Sequence, residues 1–336
     1  MSTQKIHDMM PIMKEFTVTK NDAGQRLDRF CAKNAPALGS AALQKYFRMK
    51  EIKVNGHWQK ADYRLSEGET VRMFVPDTAF SAPKKRMAAD SLAAVSDSLD
   101  IVYEDENILL VNKKPGVLCH PASGWDPATL VAQIQSHAYR RGEWDPRAEN
   151  SFAPALANRI DRGTAGIVIA AKNAASLRVL DEKIRARELD KRYLCVCLGR
   201  PNPPQGELRG WLFKDAVKNT VYVRERQEPG AQLAVTRYKL LSSANGLSLV
   251  ECALETGRTH QIRTQMAHFG HPLLGDSKYG DERQNRRFHE KRQLLCSFKL
   301  GFAFQSDAGI LNYLDGKTFT VANVSFVKKY FPDVNL

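Results

Sequence analysis

Paired cysteines, long apolar runs and acidic charge are scarce in this 336-residue chain, and each shortage removes a class of protein. Its six cysteines (Cys31, Cys119, Cys195, Cys197, Cys252, Cys296) form no Cys-x-x-Cys pair, and four lie in apolar, strand-like stretches. Thiols scattered in that way read as buried core residues, not as a disulfide framework or a zinc site. No run of about 18 apolar residues occurs, which argues against a membrane-spanning helix. Residues 1–20 lack the apolar core of a secretory signal, so a cytoplasmic protein with no membrane partner is expected. His260, His268 and His271 lie near one another in sequence, but no carboxylate stands at the spacing of a His-Glu-x-x-His site, and no metal is expected. Asp and Glu number 37 against 50 Lys and Arg, a net charge of +13. That surplus is the footprint of a protein that approaches a polyanion, and by itself it does not choose between RNA, DNA and an anionic membrane.

What is present suffices for one large domain and a small one, with 43% hydrophobic residues to build the cores. Residues 1–76 read as the small domain. Leu27, Phe30 and Cys31 share one helical face and Leu43, Tyr46 and Phe47 another, with Ser40 expected to cap the second helix. Ile52-Lys53-Val54 then meets Asn55-Gly56, a strong hairpin signal, and Val71 to Val75 reads as a strand. Residues 77–99, rich in Ala, Ser, Asp and Lys with little periodicity, read as a flexible linker. Residues 100–336 form the large domain. Short apolar runs at 108–111, 194–198, 234–238 and 247–253 alternate with helices near 127–140, 174–187 and 259–269, which predicts an α+β domain on a mixed, mostly antiparallel sheet.

The most informative residue is Asp161, in Asn158-Arg159-Ile160-Asp161-Arg162-Gly163-Thr164-Ala165-Gly166, just before the apolar run Ile167 to Ala171. A glycine-bounded turn feeding a buried strand is a place where a rigid sheet can hold a reactive side chain. The flanking arginines favour an ionised carboxylate, as a nucleophile or general base requires. An isolated turn of this kind fits equally well a surface ion pair between Asp161 and Arg162. Here it is accompanied by Lys114-Pro115-Gly116 and His120-Pro121 upstream, and by Lys191-Arg192-Tyr193 and Gly257-Arg258-Thr259-His260-Gln261-Ile262-Arg263 downstream. Gly270-His271-Pro272-Leu273-Leu274-Gly275-Asp276 follows these.

This ordered set resembles the RluA-type pseudouridine synthases over roughly residues 100–330, and four motifs in order are far more specific than any one. The resemblance implies the fold of that catalytic domain and the isomerisation of uridine to pseudouridine in RNA, with no cofactor. It also implies roles. Asp161 matches the essential aspartate, Arg263 the arginine that pairs with it, and Tyr193 the tyrosine that packs on the target base. Arg159 matches an arginine that enters the RNA beside the flipped nucleotide, and Leu295 is expected to line the pocket. Two positions depart from the pattern: Asn158 and Cys296 stand where the family has histidine. Residues 1–76, with Lys45, Arg48, Lys50 and Lys53 clustered, are similar to an S4 RNA-binding module, although Glu51 stands where that module often has glycine. Lys45, Arg48 and Lys50 are the residues expected to touch RNA there. The basic stretch from Lys278 to Arg292 fits either a phosphate contact or a solvated face.

An S4-like module joined to this catalytic domain resembles the members that act on large-subunit ribosomal RNA, in a chain expected to be monomeric and to bind no DNA. The same reaction on tRNA is the alternative within the class. A non-catalytic RNA-binding assembly factor is the alternative outside it, and the joint presence of Asp161, Tyr193 and Arg263 speaks against that. A hydrolytic glycosidase would bring two carboxylates to the bond, and only one is evident.

Overall fold

The computed structural model describes residues 11–80, 89–96 and 98–336. Residues 11–80 build a four-stranded antiparallel sheet in the order β1-β4-β2-β3, from β1 (Pro11–Thr17), β2 (Ile52–Val54), β3 (His57–Trp58) and β4 (Thr70–Pro76). Asn55 and Gly56, both at positive φ, close the β2–β3 hairpin as their sequence requires. Two helices, α1 (Leu27–Asn34) and α2 (Ser40–Arg48), lay Leu27, Phe30, Leu43 and Phe47 into a core with Ile52, Val71 and Met73. Ser40 is the first residue of α2 and not its cap: Gly39 holds that position, without a side-chain hydrogen bond.

Of the stretch read as a flexible linker, Lys84, Lys85 and Arg86 lie outside the described residues, but its later part is built in. The short helix α3 (Ala89–Ala93) is followed by a turn, and Leu92 is fully buried beside Ala138, Trp144 and Phe152. Arg140 donates to Ala93 O and Val95 O, and Ser136 to Leu92 O.

The larger unit is an 11-stranded sheet. Its strands are β5 (Ile101–Glu104), β6 (Ile108–Lys113), β7 (Ala155–Leu156), β8 (Ala165–Ala171), β9 (Leu189–Leu198), β10 (Gln205–Asp215), β11 (Thr220–Arg224), β12 (Ala231–Ala244), β13 (Leu247–Leu254), β14 (Leu295–Phe302) and β15 (Thr318–Thr320). The order is β11-β10-β12-β13-β9-β14-β8-β6-β5, with β7 on β8 and β15 on β14; all pairs are antiparallel except β14 with β8. The mixed, mostly antiparallel α+β architecture is thus the one the sequence predicts.

Both faces of the central strands are covered. In β9, Leu194 and Val196 enter one core while Tyr193, Cys195 and Cys197 enter the other, and in β8 Ile167 and Ile169 oppose Val168 and Ala170. Strict alternation of apolar residues to two faces explains the continuous apolar runs that marked these strands in the sequence. All six cysteines are buried. The remaining helices are α4 (Leu130–Arg140), α5 (Ala174–Ala186), α6 (Gln261–His268), α7 (Glu282–Arg287) and α8 (Ser325–Tyr330). Among the described residues no helix is long and apolar enough to cross a membrane.

Candidate active site

Asp161 sits on the turn that enters β8, and that turn is held from beneath. Lys113, at the end of β6 and 1% exposed, donates to Lys114 O, Val117 O and Arg162 O at 2.9–3.2 Å. An ammonium has three hydrogens and here meets three carbonyls. Burial lowers the Lys113 pKa to about 8, with the Cys119 and Asp161 charges opposing the shift. Gly116 N donates to Arg162 O, and Arg162 Nε donates back to Gly116 O. Arg162 is therefore engaged with the backbone, and the Asp161–Arg162 surface pair is not the arrangement found. At the end of the turn, Gly166 has φ +109° and a β-carbon there would run into the Ser297 backbone, so only glycine lets β8 lie beside β14.

Arg263 comes to Asp161 from α6. The helix is entered through His260 in the left-handed region (φ 54°) and is sewn to β12 by its polar face. Gln261 accepts from Thr256 and the Arg258 amide and donates to Val235 O and Thr236; Gln265 donates to Leu208 O and Ala234 O and accepts from Thr236. From this platform Arg263 donates Nη1 to Asp161 Oδ2 at 2.9 Å, and Nε and Nη2 to the two oxygens of Asp276 at 2.7 and 2.9 Å. Burial alone would lower the guanidinium pKa; the Asp276 and Asp161 carboxylates outweigh it and hold it above the usual range. Asp276 is fully buried. Burial works against its charge, and the Arg263 guanidinium with the Lys278 and Tyr279 amides more than compensates, so its pKa is lowered. Asn285 of α7 braces the Asp276 turn by accepting from Gly275 N and donating to Asp276 O.

Three residues of this cluster carry no role in the sequence reading. Asp276 was legible only as the last member of a motif. His260 brings Nε2 to 3.9 Å from Asp161 Oδ2 and pairs its Nδ1 with the Tyr279 hydroxyl at 2.8 Å. Burial lowers the His260 pKa, Arg263 and Lys278 push the same way, and Asp161 and Asp276 oppose them. The Tyr279 ring lies under the Arg263 guanidinium at 5.2 Å.

Asp161, at 24% side-chain exposure, opens into a cleft of about 1220 Å³ whose wall includes Tyr193, Leu295, Arg263, Asn158 and Arg159. Tyr193 is 7% exposed on β9 opposite Ser297, and burial pushes its phenol up to about 12, reinforced by the Asp161 charge. Cys296 faces the opposite core and does not reach the cleft. Asn158 turns its Oδ1 to Ile169 N at 2.8 Å, a brace for β8, while Arg159 is exposed at the rim. The cleft is lined by ten Lys and Arg against five Asp and Glu.

Lys45, Arg48 and Lys50 are not brought to this cleft. They are exposed on the N-terminal unit, where Lys50 lies 5.8 Å over the half-exposed ring of Trp58. The Lys278–Arg292 stretch also stays outside it: Lys278 donates to Asn219 O, Arg286 pairs with Glu282, and Arg292 packs on Gly116. Taken together, a carboxylate fixed by one guanidinium, an aromatic ring and an apolar wall lie at the floor of a cationic cleft. Such an arrangement can draw in a polyanion, hold a planar base and present an oriented carboxylate to the sugar that carries it.

Comparisons with known proteins identify the family and the fold. Residues 107–268 match the family model described as RNA pseudouridylate synthase. The chain is 32% identical over 267 residues to the uncharacterized RNA pseudouridine synthase YlyB of Bacillus subtilis, covering 79% of this chain and 82% of that protein. It is 29% identical over 281 residues to ribosomal large subunit pseudouridine synthase C of Escherichia coli, covering 83% and 84%. Among solved structures, human RNA pseudouridylate synthase domain containing 4 superposes with a TM-score of 0.51 at 20% identity, over 70% of this chain and 91% of that one.

Proposed function

The chain belongs to the RNA pseudouridine synthases, and from that premise we propose that it isomerises uridines of large-subunit ribosomal RNA, with Asp161 as the reacting carboxylate. The observation that carries the assignment of Asp161 is its bond to Arg263, a guanidinium that Asp276 already holds in a fork. A cation fixed in advance orients the carboxylate and keeps it charged without reorganisation when RNA arrives. The reaction breaks the C1'–N1 bond, turns the uracil and joins C5 to C1'; N1 gains a proton and C5 loses one, so nothing is consumed. Tyr193 is the surface on which the detached base turns, with Leu295 beside it. Asp161 either attacks C1' or takes the proton from C2', and the same geometry serves both.

The ribosomal reading is supported by the likeness to the Escherichia coli enzyme named for the large subunit. Residues 11–76 serve as an S4-type RNA-binding module, through the exposed Lys45, Arg48, Lys50 and Trp58 face, and the protein works in the cytoplasm as one catalytic unit with that module attached. Mapping pseudouridines in all RNA from cells with and without the protein tests the assignment. Sites lost from large-subunit RNA and restored by the wild-type chain but not by Asp161→Asn are expected. Losses confined to tRNA would move the substrate, and no loss in any RNA would overturn the reading.

A further inference from the structure

Every carboxylate that lines the cleft is paired with a cation. Asp161 pairs with Arg263, Asp190 and Glu251 with Arg192, Glu255 with Arg237, and Glu188 with Lys183. The buried lysines elsewhere are equally well served: Lys113 by three carbonyls, Lys172 by Glu104 and Glu143 at 2.8 Å, and Lys183 by Glu188 and Ser306. Lys191 is the exception. It lines the cleft, it is half-buried, and its ammonium has no hydrogen bond or ion pair among the described residues. Its pKa is lowered, with burial as the sole cause. The other unpaired cleft cations, such as Arg159, Lys214 and Lys239, are exposed and keep their water.

Position gives the lone ammonium a use. Lys191 and Tyr193 are two residues apart on β9 and so project from the same face of the sheet, about 7 Å apart along the strand. The Lys191 Nζ reaches Gly257, at the start of the loop that leads to His260 and Arg263; a β-carbon there would stand 3.8 Å from it. One nucleotide whose base rests on Tyr193 therefore brings a backbone phosphate within reach of Lys191. An ammonium withdrawn from water without a partner is costly, and a fully ionised ligand is what offsets the cost. In RNA the only full negative charges are its phosphates.

We propose that Lys191 is a phosphate-binding residue of the cleft, which grips the RNA backbone at or next to the uridine held by Tyr193. The proposal rests on the synthase reading above. It distinguishes Lys191 from the exposed cations of the rim, which draw RNA in without fixing its register.

The test compares Lys191→Met and Lys191→Arg in an Asp161→Asn background, where bound RNA is not converted. The probes are large-subunit ribosomal RNA and a synthetic hairpin around a uridine that the wild type modifies, with methylphosphonate replacing one phosphate at a time. Lys191→Met is expected to lose affinity for the hairpin about tenfold, and its log K against log salt to flatten by about 0.7 on both probes. One methylphosphonate next to the uridine should weaken the Lys191 protein by a similar factor and leave Lys191→Met unaffected. Lys191→Arg should retain most of the affinity, and the thermal midpoint of Lys191→Met should not fall, since an unpaired, half-buried charge has been removed. Unchanged affinity and slope, a methylphosphonate effect equal in both proteins at every position, or a lowered midpoint with unchanged binding would each overturn the proposal. Failure of the synthase reading has a different signature: the wild type forms no pseudouridine, while the slope comparison on ribosomal RNA still reports on Lys191.

Discussion

At the residue scale, Asp161 depends on a carboxylate it never touches. Asp276 fixes Arg263 in a two-point fork, and Arg263 in turn fixes Asp161. Asp161→Asn, which changes charge and little volume, should lower pseudouridine formation by more than about 10³-fold while RNA affinity stays within a few-fold; turnover close to wild type would sink its role. Asp276→Asn should cost about 3 kcal/mol of stability, because it leaves the Arg263 charge without its fully buried partner, and urea melts read that directly. A pH prediction follows from Lys113. Above its lowered pKa of about 8 the amine has two hydrogens for three carbonyls, and the Asp161 turn loses one brace. Activity should therefore decline as pH rises through about 8, an alkaline limb that a pH–rate profile would show. Stability moves the other way. The folded-state value is depressed below the ordinary 10.5, so the unfolded chain binds more protons between the two, and the Lys113 contribution rises with pH across that window and is lost as pH falls through about 8. Asp161, Tyr193 and Arg263 stood out in the sequence because each lies in a short motif of distinctive residue types. Asp276 and His260 lie in those motifs and Tyr279 just beyond them, yet none showed a role, because what they do depends on a turn that returns to α6, and no local spacing encodes that return.

At the element scale, the site hangs on one close approach between β8 and β14. Gly166→Ala should destabilise the protein by more than about 2 kcal/mol, since it combines a left-handed φ with backbone overlap at Ser297; thermal unfolding with an unchanged midpoint would show that the strands can part. The strands themselves were legible because β6, β8, β9 and β13 are apolar on both faces. The positions of α4, α5 and α6 were equally plain from their periodicity. Two signals misled. Ser40 has the chemistry of a cap, but the backbone is already helical there and Gly39 precedes it. Residues 89–95 lacked periodicity because Leu92 and Val95 are the only buried side chains described there, and two apolar positions make no pattern.

At the scale of the whole molecule, the two sheets have separate cores and meet along a polar seam. The fully buried Asp22 accepts from Asn150 and Ser151, Asn21 donates to Glu149 and accepts from Ala174 N, and Gln25 donates to Ser151. Removing residues 1–88 should leave a folded catalytic unit that binds RNA more weakly and with a shallower salt dependence, at near-normal turnover on saturating RNA. Removing residues 1–98 should in addition lower the melting temperature, because Leu92 leaves a gap against Trp144 and Phe152. Equal melting temperatures for the two truncations would contradict that packing. The seam also sets a length. Hydrogen bonds are directional, so a buried carboxylate bonded to two residues of the other unit resists sliding and swivelling. That seam favours one separation between the exposed Lys45–Trp58 face and the Asp161 cleft. On the function proposed above, in which the Lys45–Trp58 face binds RNA, the molecule would be a caliper: a fold gripped at one jaw would offer to the other only those uridines that lie one set span away.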